Sequence, residues 1–281
     1  MIADVVDLLE CPHCHLGLTL FDRAARCANG HTFDVARHGY LNLLPGDAHT
    51  GTADTAPMVV ARDVVLEGPF APLVGHVADS VGLMALPEDG CVLDLGAGTG
   101  RYLAAVLDTL PDRHGLALDL SKHAARRAAR AHPRLGAVVC DAWGRLPVRE
   151  GVAALALSIF APRNAAELAR VLAPDGALLV VTPTPRHLSP LVRELGLLTV
   201  DARKDQRLER SLAGWFTLAD RHRCAYGRTM DAEDIAAVVT MGPSTRHIEP
   251  GVLAERIAAL AAPLPVTVGV VVSRYRPDVL S

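Results

Sequence analysis

From residue 91 onward the chain alternates short, wholly apolar runs with longer stretches whose apolar positions recur every three or four residues. Cys91–Leu95, Leu116–Leu120, Ala137–Asp141, Ala153–Ile159 and Ala177–Thr182 read as strands buried on both faces. Tyr102–Leu110, Ser121–His132 and Arg163–Leu172 fill the gaps with helical spacing. Two further helical patterns, Pro57–Leu66 and Pro72–Ala85, come before the first strand. Strand–helix alternation at this spacing predicts a doubly wound, mostly parallel α/β sheet. Residues 45–56 (PGDAHTGTADTA) are small, polar and rich in Gly and Thr. They read as a linker, which divides the chain into a module at 1–44 and a main domain at 57–281.

The module carries its own chemistry. Cys11-x-x-Cys14 is followed, after twelve residues, by Cys27-x-x-x-His31. Two short ligand pairs at this separation suit one tetrahedral zinc ion. The link Leu16–Arg26 can form a hairpin that folds the second pair onto the first, and Asn29-Gly30 supplies a turn. Three thiolates and one imidazole close the coordination shell, so the zinc is expected to be structural. A redox Cys-x-x-Cys would need neither Cys27 nor His31. His13 and His15 compete as ligands, but His31 is favoured because the Cys27–His31 pair mirrors Cys11–Cys14. Residues 1–44 hold three arginines against five acids, so the module is not a basic DNA-reading finger. Phe33, His38 and Tyr40 could stack on RNA bases, or pack beneath the metal site.

Composition narrows the setting. Of the 281 residues, 50% are hydrophobic and 4% aromatic, and the net charge is −3. An Ala/Val/Leu core is expected, with no global nucleic-acid signature. Lys122 and Lys204 are the only lysines, so phosphate contacts would fall to arginine. No apolar run is long enough to span a bilayer, and the acidic N-terminus does not read as a signal peptide. A soluble cytoplasmic protein follows, with Cys91, Cys140 and Cys224 as buried thiols.

The decisive motif is VLDLGAGTGRYL. Asp94 ends the first strand, and Gly96, Gly98 and Gly100 follow at alternate positions. Glycines there let the backbone approach a ligand closely at the carboxyl end of a strand. The dinucleotide fingerprint spaces its glycines G-x-G-x-x-G. The spacing here, with an acid two residues before, resembles the first motif of class I methyltransferases, and a dehydrogenase is the residual reading. Asp119, closing the second strand, can accept ribose hydroxyls. Asp141 closes the third, where adenine lies in such folds. A carboxylate beside a sulfonium and an amino group makes electrostatic sense for S-adenosylmethionine.

CPHCHLGL, CANGHTFDVARHGYLNLLP and APRNAAELARVLAPDGALLVVTPTPRHLSPL together resemble the RlmA-type 23S rRNA guanine-N1 methyltransferases along essentially the whole chain. The Arg- and Ala-rich background is similar to the actinobacterial, tylosin-resistance branch. The resemblance implies a Rossmann-like class I domain with an N-terminal zinc module. It implies methylation at N1 of a guanine in a domain II hairpin loop of 23S rRNA, giving protection from tylosin-type macrolides. It assigns Cys11, Cys14, Cys27 and His31 to zinc, Gly96, Gly98, Thr99 and Gly100 to the cofactor loop, and His187 to a position near the cofactor. Phe70 stands where the family usually has tyrosine. A small-molecule methyltransferase is the alternative.

Guanine N1 carries a proton, so either an acceptor must remove it or the anionic tautomer must be stabilised; Asp141, His187 and the APRN stretch with Arg163 and Asn164 are unranked candidates. For RNA docking, Asp201–Arg228 offers six arginines and one lysine against four acids, with Trp215, Phe216 and Tyr226 interleaved. The competing reading is a solvated amphipathic helix. The five basic residues of Ser121–Arg134 read as simple solvation. A homodimer could build a shared basic cleft.

Overall fold

The computed structural model describes residues 1–46, 48, 50–197, 204–242, 249–260 and 262–278. The module begins with two 3-10 turns, Ile2–Asp4 and Val6–Leu8, followed by a small antiparallel sheet of β1 (Thr19–Phe21), β2 (Ala24–Arg26) and β3 (Thr32–Asp34). The expected hairpin is β1–β2. Strand β4 (Leu41–Asn42) leaves that sheet and joins the main one. Then come α1 (Ala56–Glu67), α2 (Ala71–Gly82), β5 (Cys91–Leu95), α3 (Arg101–Thr109), β6 (Gly115–Asp119), α4 (Lys122–Ala128), β7 (Leu135–Val139), β8 (Ala153–Ile159), α5 (Ala165–Val171) and β9 (Leu172–Pro183). The chain continues with α6 (Leu191–Leu195), α7 (Lys204–Leu212), β10 (Phe216–Met230), α8 (Ala232–Thr240), α9 (Pro250–Ala258) and β11 (Leu264–Pro277).

The main sheet runs β10-β11-β9-β8-β5-β6-β7-β4. It is parallel from β9 to β4, and β11 and β10 are antiparallel additions. From β5 the chain winds outward through β6 and β7, then returns past β5 to β8 and β9. The switch point lies between β5 and β8, where the crevice at the strand ends opens.

Successive strand residues face opposite layers. Val92, Ala117 and Ala137 point into a core covered by α1, α2, α3, α4 and α8. Leu93, Leu116, Leu118 and Val138 point the other way, into a core shared with α5, α7 and the N-terminal segment. Ile2, Val5, Val6 and Leu9 thus cover the second face, where a helix would otherwise lie. A side chain on Gly136 of β7 would collide with Val5.

One sequence reading is corrected in part. The patch 201–228 divides in two: 204–212 is the helix α7, as the competing reading expects, and from Phe216 the chain becomes a strand, β10, that the pattern does not predict. It is a long edge strand, paired with β11 from Phe216↔Pro277 to Met230↔Leu264. Most of its side chains are open to solvent, as on a sheet edge, which is why charged residues are tolerated along it. Phe216 is buried, Trp215 and Tyr226 are half-buried, and Arg221 is tied to Glu209 and the hydroxyls of Ser273 and Tyr275. Of the patch residues, Asp201 and Arg203 lie outside the described residues.

Candidate active site and zinc centre

In the module, two tight turns bring four ligand atoms together. Cys27 Sγ lies 3.4 Å and Cys11 Sγ 3.5 Å from His31 Nδ1, and Cys14 Sγ lies 3.6 Å from Cys27 Sγ. Metal–ligand bonds of about 2.0–2.3 Å give tetrahedral edges of roughly 3.3–3.8 Å, so the group fits zinc. It is the one such cluster among the described residues. The turn of the second pair is closed by Gly30 N–H donating to Cys27 O, with Gly30 at φ 82°. His13 is exposed and not a ligand; it stacks over His31 at 5.0 Å and Phe33 at 5.9 Å. Phe33 therefore packs beside the metal site, and Tyr40 packs on the main core.

At the switch point a cavity of about 630 Å³ opens, lined by Gly96, Gly98, Asp119, Asp141, Trp143 and Phe160, among others. That is a size suited to one small organic ligand. Behind it lies a pocket of about 40 Å³ lined by Arg62, Phe70, Asp94, Ala97 and Tyr102 together with Gly96 and Gly98. The loop after β5 must be glycine for two reasons. Gly96 holds φ 71°, and a Cβ there would stand 2.7 Å from Ala161 Cβ; Gly98 holds φ 56°, and a Cβ would meet Arg62 Cδ at 3.0 Å.

Three carboxylates rim this space. Asp94 is 2% exposed, and burial, then the nearby Asp119, push its carboxyl up to about 8. Asp119 accepts the N–H groups of Gly98 and Ser121, each at 2.8 Å. Burial raises its pKa against those two donors. Asp141 accepts Trp143 N–H at 2.9 Å. The hydroxyls of Thr99 and Tyr102 and the Nε of Arg62 are buried without hydrogen-bond partners among the described residues. Carboxyl groups and buried polar atoms beside a glycine cradle fit a polar, cationic ligand such as S-adenosylmethionine.

Residues 9–50 match the RlmA N-terminal zinc ribbon family, and residues 92–176 match a methyltransferase domain family. A 23S rRNA (guanine(748)-N(1))-methyltransferase of Streptomyces fradiae is 47% identical over 99% of each chain. A putative 23S rRNA (guanine-N(1)-)-methyltransferase of Micromonospora griseorubida is 48% identical over 99% of this chain and 100% of its own length. The chain belongs to the RlmA-type 23S rRNA guanine-N1 methyltransferase family. The solved structure of MccD protein, at 17% identity, covers 75% of this chain and 99% of its own with a TM-score of 0.50, a likeness of fold alone. The family is S-adenosylmethionine-dependent.

Within this RlmA-type chain the other sequence candidates fall into place by geometry. Thr99 and Gly100 continue the loop into α3, with Gly100 as its N-cap at φ 76°. His187 stands 5.6 Å from the rings of both Phe70 and Phe160 and accepts Gly269 N–H through Nδ1 at 3.4 Å; it backs these two rings. Asn164 is engaged at both ends of its side-chain amide. Its Oδ1 caps α5 at Glu167 N–H, while its amide donates to the carbonyls of Trp143 and Gly144. Arg163 is also absent from the cavity lining, and burial lowers its pKa. Of the four candidates for handling the N1 proton or the anion it leaves, Asp141 alone lines the larger cavity.

The sequence reading missed Arg62, Trp143 and Phe160, and also the role of 52–54. Thr52, Ala53 and Asp54 form one cavity wall, held by Arg62–Asp54 and by Ser121 Oγ donating to Asp54 O at 2.6 Å. Trp143 is 66% exposed and Phe160 39% exposed. Phe160 adopts φ 55°, a region costing about 1–2 kcal/mol outside glycine. AWG and IFAP hold the aromatics next to the strand ends, which was the available signal.

Proposed function

We propose that this chain transfers a methyl group to N1 of the domain II hairpin guanine of 23S rRNA that corresponds to guanine 748, conferring protection from tylosin-type macrolides. The observation that carries the reading is full-length similarity to the Streptomyces fradiae enzyme of that name, joined to a largely apolar cavity at the switch point that carries Asp119 and Asp141 on its wall. S-adenosylmethionine supplies an electrophilic methyl group. Asp94 would take its ammonium, the Gly96–Gly100 loop its methionyl chain, Asp119 the ribose hydroxyls and Asp141 the adenine side. The work of these groups is positioning, which turns an encounter into an in-line displacement.

A base paired or stacked in a loop must be splayed out to enter such a cavity. Trp143 and Phe160, exposed at the rim, offer the aromatic faces to receive it. Strain at Phe160 aims its ring there. RNA docking is assigned to the junction of α4 with the module. Arg130 Nη2 contacts His38 Nδ1 at 2.8 Å, and burial together with repulsion from Arg126, Arg130 and Arg37 lowers the His38 pKa. This local positive field stands in a chain of net negative charge.

The test is incubation of unmodified 23S rRNA with the protein and S-adenosylmethionine, followed by primer extension. A new stop at that guanine is expected, because N1 methylation blocks Watson–Crick pairing. Label incorporated without a stop would refute N1 as the target. Expression in a tylosin-sensitive host should raise the inhibitory concentration of tylosin.

A further inference from the structure

We infer that Arg62 is the carboxylate-binding residue of the cofactor pocket, gripping the α-carboxylate of the methionyl end while Asp94 takes the ammonium. An α-amino acid is a zwitterion. The 40 Å³ pocket that opens behind the glycine loop offers its mirror image, one buried carboxylate and one guanidinium, with Tyr102 also on its wall. Arg62 comes from α1, Asp94 from the end of β5 and Tyr102 from α3. No local motif links them, so only the fold assembles the pair.

The donors of Arg62 are unequally used. Nη2 donates to Asp54 Oδ2 at 2.5 Å and to the carbonyl of Met241 at 3.2 Å. Nε is buried with no acceptor among the described residues. The side chain lies directly on the loop, since a Cβ on Gly98 would stand 3.0 Å from its Cδ and 3.5 Å from its Nε. Asp54 thus anchors the guanidinium from the cavity wall and leaves an N–H toward the loop. The Tyr102 hydroxyl, buried and equally idle, supplies a second donor. Guanidinium–carboxylate hydrogen bonds are among the strong ones, so the amino-acid end of the cofactor should contribute much of its affinity.

This inference rests on the cofactor reading, and the test separates the two. Binding of S-adenosylhomocysteine, its decarboxylated analogue and 5′-methylthioadenosine is measured by calorimetry. The unmodified protein should bind the decarboxylated analogue about ten- to hundredfold more weakly than S-adenosylhomocysteine. Arg62→Met should lose a similar factor for S-adenosylhomocysteine and keep its affinity for 5′-methylthioadenosine, which also reports that the variant is folded. Arg62→Lys, which keeps the charge but not the Nε–H, should fall between. Equal binding of the two homocysteine ligands by the unmodified protein would overturn the inference, whatever the variants do. So would a parallel loss of all three ligands in both variants. If the unmodified protein bound none of them, the cofactor reading itself would fall, and the role of Arg62 with it.

Discussion

Asp94 is an acid placed where it cannot easily be charged. Burial and the neighbouring Asp119 raise its carboxyl to about 8, while Arg62 and Tyr102 share its pocket. An ammonium ligand needs the ionised form, so binding must remove a proton below that value. Affinity for S-adenosylhomocysteine should therefore climb from roughly pH 6 to pH 8, approaching tenfold per unit at the acid end, and flatten above. The sign for stability is opposite. A raised folded-state pKa means that the folded chain holds more protons than the unfolded one between about pH 4 and pH 8, so unliganded stability falls as pH rises through that window. Asp94→Asn should weaken binding and flatten both profiles; an unchanged binding profile in that variant would assign the pH dependence elsewhere. The sequence marked Asp94 by its place before the glycines, but it could not reveal the shift, which arises from burial.

At the scale of elements, the loops after β7 and β8 are fastened by one side chain. Asn164 caps α5 and holds the carbonyls of Trp143 and Gly144. Asn164→Ala should lower unfolding stability by about 0.5–2 kcal/mol, as loss of an N-cap does. Methylation measured well below the melting midpoint should stay within a few-fold of the parent. A fall on the order of a hundredfold or more at undiminished stability would instead return Asn164 to the chemistry. The sequence reading takes APRN as a candidate for the chemistry, and the structure shows Asn164 also working as a cap and a tie between loops. The N-terminal segment teaches the same lesson. Val5 and Leu9 look like the start of a separate module, yet they fill the second face of the main sheet.

For the whole molecule, the question is where an RNA meets a chain of net charge −3. The most charged sequence window, 201–228, places Arg221 in an internal network. The exposed Arg37, Arg126 and Arg130 instead gather where α4 meets the module. Replacing Arg126 and Arg130 with alanine should weaken rRNA binding at every salt concentration. It should also shallow the dependence of log affinity on log salt by about one to two units, since each phosphate contact adds roughly one. Cofactor affinity should not change. An unaltered salt slope would exclude this face as the docking surface.

Local pattern by itself determined the parallel sheet, the zinc ligand set and the acids at three strand ends. Each depends on neighbours in the chain: strand periodicity, ligand pairs on single turns, and a glycine loop directly after its strand. Tertiary structure decided what no window of sequence contains. Edge strand β10 reads as a charged helix because its partner β11 lies about forty residues on. Arg62 reads as an ordinary helix surface residue until α1 is laid across the loop after β5. The module reads as ending at residue 44 ahead of a linker, yet its strand β4 pairs with β7 of the main sheet. In each case a distant segment supplies the environment, and burial and contact then set the chemistry of the residue.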